Sequence, residues 1–326
     1  MLNGKSVLVT GGTGSFGKAF IRDTLSRFPK IKRLVVFSRD ELKQFEMSEE
    51  ISASDYPSIR YFLGDIRDKA RLRRAFEGVD IIIHAAALKQ VPAAEYNPFE
   101  FIKTNIIGAQ NLIKACLETE VKKVVALSTD KAASPINFYG ATKLCSDKLF
   151  IAANNIKGKK NINFSIVRYG NVAGSRGSII PLFKEISHKN VFPITDKEMT
   201  RFWITVEQAI DMVEWSFKNN QGGEIVIPKI KSFKVTDLAK AINPKSKIKI
   251  IGIRQGEKIH EDLITPSDSL STYESKNYYI IYPHKSNLKF GSNKLKKVSK
   301  HFSYNSGNNR FMTVSEIKKK VLEMKL

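Results

Sequence analysis

Short apolar runs alternate with helical stretches along the first half of the chain. Runs rich in β-branched residues occupy positions 6–9, 34–37, 59–63, 80–83, 124–127 and 164–168. Stretches with the apolar spacing of amphipathic helices separate them. Continuous apolar runs are typical of strands buried on both faces, and repeated strand–helix units build parallel sheets. The pattern therefore predicts an α/β fold with a doubly wound parallel sheet.

The loop after the first run is rich in glycine. Gly12, Gly14 and Gly17 satisfy G-x-G-x-x-G, and Gly11, Gly14 and Gly17 satisfy G-x-x-G-x-x-G. Such a loop makes a tight turn and lets a pyrophosphate approach the backbone at a helix N-terminus. Because the motif stands between a predicted strand and a predicted helix, it indicates a dinucleotide site. The residues expected to form this part of the site are Gly11, Thr13, Gly14, Ser15, Phe16 and Gly17.

The end of the second predicted strand bears on which dinucleotide is bound. A site for NAD usually has an acidic residue there, which binds the ribose 2′-hydroxyl. Here the sequence is Ser38-Arg39-Asp40, with Lys43 close behind. Arg39 can clamp a 2′-phosphate with Ser38 and Lys43 in support, which favours NADP. The alternative is that Asp40 caps the next helix and Arg39 is a surface arginine.

Two further strand ends offer contacts to the same cofactor. Asp65 and Ile66 follow the third strand, where a carboxylate can accept a hydrogen bond from the adenine amine. With equal weight, Asp65 is the N-cap of a helix over residues 67–76. The small residues after the fourth strand, including Ala85, let a nicotinamide ribose approach the backbone. His84 is interpreted as a packed histidine rather than a catalyst.

The strand over residues 124–127 ends abruptly in polar residues, among them Thr129, Asp130 and Lys131. Ligands of open α/β sheets bind at the carboxyl ends of strands. A helix predicted over residues 139–154 places Tyr139 and Lys143 on one face, four positions apart. An ammonium beside a phenol lowers its pKa because it stabilises the phenolate. We interpret the pair as a proton-transfer device, although Tyr-x-x-x-Lys alone also occurs by chance on helix surfaces.

Composition narrows the class of protein. The chain has 326 residues, of which 42% are hydrophobic, and it contains two cysteines and five scattered histidines. No apolar run is long enough to span a membrane, the first strand leaves no room for a secretion signal, and no metal site is expected. The cysteine usage favours a reducing, cytoplasmic compartment.

The net charge is strongly positive. Lys and Arg number 54 against 32 Asp and Glu, a formal net charge of +22. Because the excess is spread along the chain and no nucleic-acid-binding motif accompanies it, we expect neither nucleic acid nor membrane as a partner. A lysine-rich surface over a site for an anionic ligand is the favoured interpretation.

The sequence changes character after the sixth strand. Glycines cluster over residues 170–177, Pro181 follows, and short segments continue to the end. We therefore predict a cofactor-binding domain over residues 1–170 and a smaller, interleaved substrate-binding lobe mainly over residues 171–326. A segment over about residues 200–228 is expected to return to the first domain.

These motifs together resemble the extended branch of the short-chain dehydrogenase/reductase superfamily, with its Rossmann-like fold. Asn105-x-x-Gly108-x-x-Asn111 fits that branch, in which the asparagine braces the active-site strands; its spacing predicts a tight contact at Gly108. The motifs HAAALK, VRYGNVAGSRGS, MTRFWIT and GIRQGEKIHE narrow the resemblance to the C5-inverting UDP-N-acetylglucosamine 4,6-dehydratases that begin pseudaminic acid synthesis. Asp130-Lys131 stands where configuration-retaining sugar-nucleotide dehydratases have Asp-Glu.

The resemblance implies a lyase reaction in steps. Tyr139, as a phenolate held by Lys143 and bonded to Thr129, takes the 4-hydroxyl proton while C4 gives hydride to NADP⁺. Lys131, kept neutral by Lys143 and the nicotinamide cation, removes the C5 proton. A protonated Asp130 then donates to the departing 6-hydroxyl. On the residues alone, an ion pair at a strand end is the favoured interpretation of Asp130-Lys131, because adjacent opposite charges are common on loops.

The resemblance also implies the ligand contacts and the assembly. Lys89 and Val172 join the cofactor site, and a homo-oligomer, dimer or hexamer, is expected. The residues implied to bind the UDP-sugar are Lys89, Asn171, Arg176, Gly177, Ser178, Thr195, Arg201, Arg254 and Glu257. Two alternatives stay open: a UDP-N-acetylglucosamine 4-epimerase of the same superfamily and a non-catalytic NADP-binding regulatory protein.

Overall fold

A ten-stranded sheet forms the centre of the molecule in this computed structural model, which describes residues 1–175, 177–189, 191–282 and 295–324. The strands of this part of the chain are β1 (Ser6–Thr10), β2 (Arg33–Ser38), β3 (Ile59–Leu63), β4 (Ile81–His84), β5 (Lys123–Thr129), β6 (Asn163–Tyr169), β7 (Val191–Ile194), β8 (Thr200–Phe202), β9 (Ile225–Pro228), β10 (Ser232–Lys234), β11 (Lys247–Ile250), β12 (Asp262–Ile264), β13 (Thr272–Glu274), β14 (Tyr278–Ile281), β15 (Lys296–Lys297) and β16 (Tyr304–Asn305). The α-helices are α1 (Ser15–Arg27), α2 (Glu41–Glu50), α3 (Lys69–Phe76), α4 (Val91–Tyr96), α5 (Pro98–Phe101), α6 (Gly108–Leu117), α7 (Phe138–Ile156), α8 (Ile179–Glu185), α9 (Val206–Asn219), α10 (Val235–Ile242) and α11 (Val314–Glu323).

Seven neighbouring strands of the sheet are parallel, in the order β3-β2-β1-β4-β5-β6-β9. The chain moves outward from β1 through β2 to β3, then crosses back to start β4 on the other side of β1. This reversal defines a doubly wound sheet, so the predicted fold class is confirmed. The carboxyl ends of β1 and β4 meet at the reversal, with Thr10 opposite His84.

The sheet continues beyond β9 with three strands that the sequence pattern did not predict. Strands β14, β13 and β15 add to the edge in antiparallel pairing. They are only two to four residues long. Runs this short carry little periodicity, which is why a sequence pattern does not reveal them.

One large apolar core lies between the parallel strands and their helices. All five residues of β1 are buried, and helix α1 contacts α9 while α6 contacts both α3 and α7. Phe20, Phe37 and Phe76 are among its fully buried side chains. Burying aromatic side chains of this size contributes roughly 2–3 kcal/mol each to holding helices on the sheet.

A second, smaller core is built by residues that come after β6. It joins side chains of α8, β7, α10 and α11, including Phe183, Phe192, Leu238 and Ile317. Helix α9 and strand β9 return to the large sheet between these segments. Strand β8 pairs with β10 outside that sheet, although Phe202 and Ile204 pack in the large core.

The helix over Pro98–Leu117 braces the strand ends. Its middle turns, Ile102–Ile107, are π-helical, and Asn105 lies within them. The Asn105 side chain accepts from the Leu88 amide and donates to the Leu88 carbonyl and to Thr142 Oγ1. A Cβ added at Gly108 would lie 2.8 Å from Ile66 Cδ1, so the predicted tight contact is confirmed.

Candidate active site

The glycine loop has the geometry that a pyrophosphate needs. Gly11 adopts a φ of +67°, and a Cβ there would lie 2.9 Å from the Ala86 backbone. A Cβ at Gly17 would lie 2.5 Å from the carbonyl oxygen of Gly12. Helix α1 starts at Ser15 and no side chain caps it, so its first amides are available to an anion. The loop therefore fits the dinucleotide that the sequence predicts.

The end of β2 is arranged differently from the sequence prediction. Asp40 caps α2 by accepting from the Lys43 amide, and its carboxylate also pairs with the Lys43 ammonium. The alternative interpretation of Asp40 is thereby confirmed, and Lys43 is turned toward a protein carboxylate. Arg39 is 52% exposed and lines one cavity together with Lys89, so two cations face the same space.

Asp65 does not cap the helix that follows it. Helix α3 begins at Lys69, and Asp68 is its cap, because the Asp68 side chain accepts from the Arg71 amide. Asp65 instead accepts from the amide and guanidinium of Arg67, and Arg39 lies 3.8 Å away. Burial opposes the charge on Asp65, but the bonds from Arg67 outweigh it and lower the pKa of that carboxyl.

His84 is packed, as the sequence analysis interpreted it. Its Nδ1 lies 2.8 Å from Thr10 Oγ1, and its ring contacts Phe150. Complete burial, with a smaller effect of the Lys143 charge, lowers the pKa of His84 to about 3. The imidazole is therefore neutral near pH 7 and acts as a hydrogen-bonded part of the core.

Polar side chains converge where β5 ends. The Thr129 hydroxyl donates to Asp130 Oδ1 at 2.9 Å. The Lys131 ammonium donates to the same oxygen and to Asn171 Oδ1, both at 3.1 Å. A third acceptor, Oε1 of Glu261, lies 3.5 Å from Lys131 Nζ. Only 19% of the Lys131 side chain is exposed, so the amine lies inside the site.

Helix α7 brings Tyr139 to this cluster. Asn137 caps the helix by accepting from the Gly140 amide, and Gly140 packs so tightly against the Lys131 carbonyl that a Cβ there would clash. Burial raises the pKa of Tyr139 to about 12, while the Lys131 charge and a hydrogen bond with Thr129 favour the phenolate. Thr129, Lys131 and Tyr139 therefore form one group.

In this structure the Lys143 ammonium is held by the backbone of β5. Lys143 Nζ donates to the Leu127 carbonyl at 2.9 Å, and burial lowers the pKa of Lys143. The cation that acts on the Tyr139 phenol is Lys131.

Lys131 was expected to be neutral, but the charged groups of the chain itself favour its protonated form. Burial alone would lower the pKa of Lys131, but the carboxylates of Asp130 and Glu261 outweigh burial and raise that pKa above its usual value. The alternative of an Asp130–Lys131 ion pair is therefore what the structure contains.

Glu261 is a site residue that the sequence analysis missed. It lies just before β12, is 2% exposed, and its Oε1 is 3.5–3.6 Å from both Lys131 and Arg201. Its position within GIRQGEKIHE was the available signal, but nothing in sequence spacing links that motif to the end of β5.

Arg201 joins the polar cluster at the end of β5 to other predicted substrate residues. Its guanidinium donates to the Thr200 and Ile259 carbonyls and lies 3.6 Å from Glu257. The amide of Arg254 donates to Glu257, and the Arg254 side chain is exposed. Both arginines thus contact Glu257, and Arg201 also contacts Glu261 beside Lys131.

The remaining predicted substrate residues have mixed placements. Gly177, at a φ of +76°, lies against Gln90, and Ser178 has a buried hydroxyl without a partner in the described part of the chain. The Thr195 hydroxyl contacts the sulfur of Met199 in the second core. Arg176 lies outside the described residues.

A family model described as "Polysaccharide biosynthesis protein" matches residues 7–283. The chain belongs to this family. An inverting UDP-N-acetylglucosamine 4,6-dehydratase of Campylobacter jejuni is 55% identical over 95% of this chain and 94% of its own. A UDP-glucose 4-epimerase of Rickettsia bellii is 39% identical over 98% of this chain and 96% of its own.

Solved structures share the fold of this family member. Pen from Bacillus thuringiensis superimposes with a TM-score of 0.90 at 39% identity, covering 99% of this chain and 98% of its own. DesIV, a dTDP-glucose 4,6-dehydratase from Streptomyces venezuelae with NAD bound, gives a TM-score of 0.69 at 24% identity over 78% of this chain and 86% of its own. The second likeness supports the fold alone.

The described residues contain neither a membrane-spanning helix nor a cluster of metal ligands. No helix there is both long and apolar enough to cross a bilayer. No cluster of three or more potential metal ligands occurs among the same residues.

Proposed function

We propose that this chain is a lyase that dehydrates UDP-N-acetylglucosamine to a UDP-2-acetamido-2,6-dideoxy-4-keto-hexose with inversion at C5. The observation that carries the proposal is the placement of Lys131 and Asp130 beside Tyr139 at the carboxyl end of β5. Oxidation at C4 needs one proton-transfer group, whereas elimination across C5 and C6 needs a base and an acid as well. The 55% identity to the Campylobacter jejuni dehydratase supports this assignment.

The cofactor of this proposal is a nicotinamide dinucleotide, and we assign NADP. The glycine loop of Gly11, Gly14 and Gly17 would hold its pyrophosphate, and Arg39 with Lys89 would bind a 2′-phosphate. The other residues assigned to the cofactor are Thr13, Ser15, Phe16, Ser38, Asp65, Ile66, Ala85, Tyr139, Lys143 and Val172. A nicotinamide bound there would supply a hydride acceptor for C4 and a hydride donor for C6, and a proton reaching C5 from the opposite face would complete the inverted product. Lys43 is assigned a weaker part, because Asp40 holds it.

Tyr139 is the group assigned to the 4-hydroxyl. The phenol is buried, which shields it from water, and Lys131 and Thr129 both stabilise its ionised form. As a phenolate it takes the 4-hydroxyl proton. A ketone at C4 then acidifies the C5–H bond.

Lys131 and Asp130 are assigned to the elimination. Lys131 Nζ, once it has lost a proton, takes the proton from C5. Asp130, when protonated, donates to the departing 6-hydroxyl, which leaves as water. Hydrogen bonds from Thr129 and Lys131 fix the Asp130 carboxyl in place for this transfer.

The diphosphate is assigned to Arg201 and Arg254. A planar guanidinium binds phosphate oxygens in pairs, and Glu257 contacts the guanidinium of Arg201 and the backbone amide of Arg254. The other residues proposed to bind the UDP-sugar are Lys89, Asn171, Arg176, Gly177, Ser178 and Thr195. We further propose that the protein acts in the cytoplasm, forms a homo-oligomer and catalyses the first step of pseudaminic acid synthesis. Its two free cysteines support the cytoplasmic assignment.

A 4-epimerase is the second candidate, because a UDP-glucose 4-epimerase is also similar to this chain. It requires Tyr139 and Lys143 but has no use for an acid and a base at C5. Incubation of the protein with NADP⁺ and UDP-N-acetylglucosamine in deuterated water distinguishes the two. We expect a 4-keto-6-deoxy product with deuterium at C5. A product epimerised at C4 without deuterium at C5 would support the epimerase, and no turnover would support a non-catalytic regulator.

A further inference from the structure

Two buried carboxylates share the Lys131 ammonium, and they are not equivalent. Asp130 Oδ1 accepts hydrogen bonds from both Thr129 and Lys131. Glu261 Oε1 makes only longer ionic contacts, at 3.5 Å to Lys131 Nζ and 3.6 Å to Arg201 Nε. One oxygen of each carboxylate, Glu261 Oε2 and Asp130 Oδ2, is buried without a hydrogen-bond partner in the described part of the chain.

A buried carboxylate that accepts no hydrogen bonds takes up a proton more readily than one that accepts several. Hydrogen bonds to an ionised carboxylate stabilise the charge, and burial without them favours the neutral acid. Asp130 Oδ1 accepts two hydrogen bonds, whereas the Glu261 carboxylate makes only longer ionic contacts, so a proton that leaves Lys131 competes with fewer donors at Glu261. Oε2 is the free position for that proton.

The proposed reaction requires Lys131 to lose a proton, and Glu261 lies close enough to receive it. Lys131 is an ammonium in the free site, because Asp130 and Glu261 raise its pKa. A base at C5 must first lose that proton. Among the described residues, Arg201 is the other cation paired with Glu261, and the proposed function assigns Arg201 to the diphosphate. Substrate binding would therefore draw positive charge away from Glu261 while it displaces water from the site.

We propose that Glu261 is the positioning residue that accepts the proton of Lys131 and so allows Lys131 to act at C5. In this step one N–H bond of Lys131 breaks and one O–H bond forms on Glu261, with no change of oxidation state. The amine that results takes the C5 proton. This inference rests on the proposed function, since it requires a base at C5.

The charged and titratable groups around Glu261 decide how the test is designed. They are Asp130, Lys131 and Arg201, with His260 next to it in the chain and bonded to Thr200. Glu261→Gln removes one negative charge, which lowers the pKa of Lys131. If Glu261 acted only through its charge, this variant would contain more neutral Lys131 and would be faster at neutral pH.

The experiment compares two rates in deuterated buffer with NADP⁺ and UDP-N-acetylglucosamine. One is the formation of reduced cofactor in a single turnover, and the other is deuterium incorporation at C5. For Glu261→Gln near pH 7 we expect the first rate to stay within about 3-fold of wild type and the second to fall about 100-fold. Raising the pH should restore much of the second rate, because hydroxide then deprotonates Lys131 directly.

Two further variants complete the test. Asp262→Asn removes the neighbouring carboxylate, which pairs with Lys258, and should leave both rates within about 3-fold. Glu261→Asp keeps an acid and should recover part of the C5 exchange. The proposal is overturned if Glu261→Gln exchanges C5 as fast as wild type at neutral pH, or if it loses both rates equally. Absence of C5 exchange in the wild type would instead overturn the proposed function.

Discussion

Lys131 Nζ lies 3.1 Å from Asp130 Oδ1, and both groups project from the short turn that follows β5. The pair therefore places a potential base and a potential acid at adjacent positions. In the proposed reaction these two groups act on neighbouring carbons of one sugar ring. The acid and the base proposed for one elimination are therefore consecutive residues of the chain.

Asp130→Asn separates exchange at C5 from loss of the 6-hydroxyl. The amide keeps the shape of the carboxyl and cannot give a proton to the leaving group. We expect expulsion of the 6-hydroxyl to slow by about 10²–10⁴-fold, while C4 oxidation and C5 exchange persist. Recovered UDP-N-acetylglucosamine should then carry deuterium at C5. Asp268→Asn, which alters a carboxylate bonded to Thr265, is the control. Normal dehydration by Asp130→Asn would remove Asp130 from the acid role.

Tyr139→Phe tests the proton transfer at C4. Without the phenol, the formation of reduced cofactor should fall at least about 100-fold, whatever happens later in the reaction. Tyr169→Phe is a matched control, because Tyr169 is another buried tyrosine close enough to interact with Tyr139. That variant should stay within a few-fold of wild type. Equal losses in the two variants would mean that packing, rather than proton transfer, explains the effect.

Arg39→Ala tests the choice between NADP and NAD. Removing one charged contact to a 2′-phosphate costs about 1.5–3 kcal/mol, which corresponds to roughly 10–150-fold in KM for NADP. The KM for NAD should change little. Arg22→Ala, an exposed arginine paired with Glu50, should alter neither value. A wild-type protein that prefers NAD, or an unchanged KM for NADP in Arg39→Ala, would contradict the assignment.

Glu224→Gln tests a titration that lies outside the active site. Glu224 is buried, and burial raises its pKa to about 7 from 4.5. Between these values the folded chain binds a proton that the unfolded chain does not, so wild-type stability falls as pH rises through this window. Relative to Glu224→Gln, the wild type should lose up to about 3 kcal/mol of unfolding free energy between pH 4 and 8.

Denaturant unfolding of the two proteins at several pH values checks this prediction. His84, whose pKa is lowered to about 3, titrates in the opposite sense, but it is common to both proteins and cancels in the comparison. A difference between the proteins that does not vary with pH would show that Glu224 ionises normally in the folded chain.

The parallel sheet was predictable because its cause lies within short stretches of sequence. Buried strands such as β1 and β5 are continuous apolar runs, and the glycine loop has a fixed spacing. The packed role of His84 and the tight contact at Gly108 followed from similar local reasoning. Helix boundaries were less certain: Asp65 and Asp68 both satisfy capping chemistry, and the structure selects Asp68.

The ionisation of the site was not predictable from the same information. The sequence placed Lys143 near Tyr139 by helical spacing, yet Lys143 binds a backbone carbonyl. Lys131 was expected to be neutral because of Lys143 and the nicotinamide cation, and that expectation did not include the charge of Glu261. The pKa of a buried group depends on every charge that the fold brings near it, and Glu261 lies far from Lys131 along the chain, just before β12.

The proposed dehydration requires Tyr139 to act at C4 first and Lys131 to act at C5 afterwards. The most direct measurement follows Lys131→Gln with NADP⁺ and UDP-N-acetylglucosamine in deuterated water, recording reduced cofactor and deuterium at C5 together. We predict that reduced cofactor forms and persists while C5 keeps its protium and no 4-keto-6-deoxy product appears. A variant that incorporates deuterium at C5 and releases product at the wild-type rate would contradict the account.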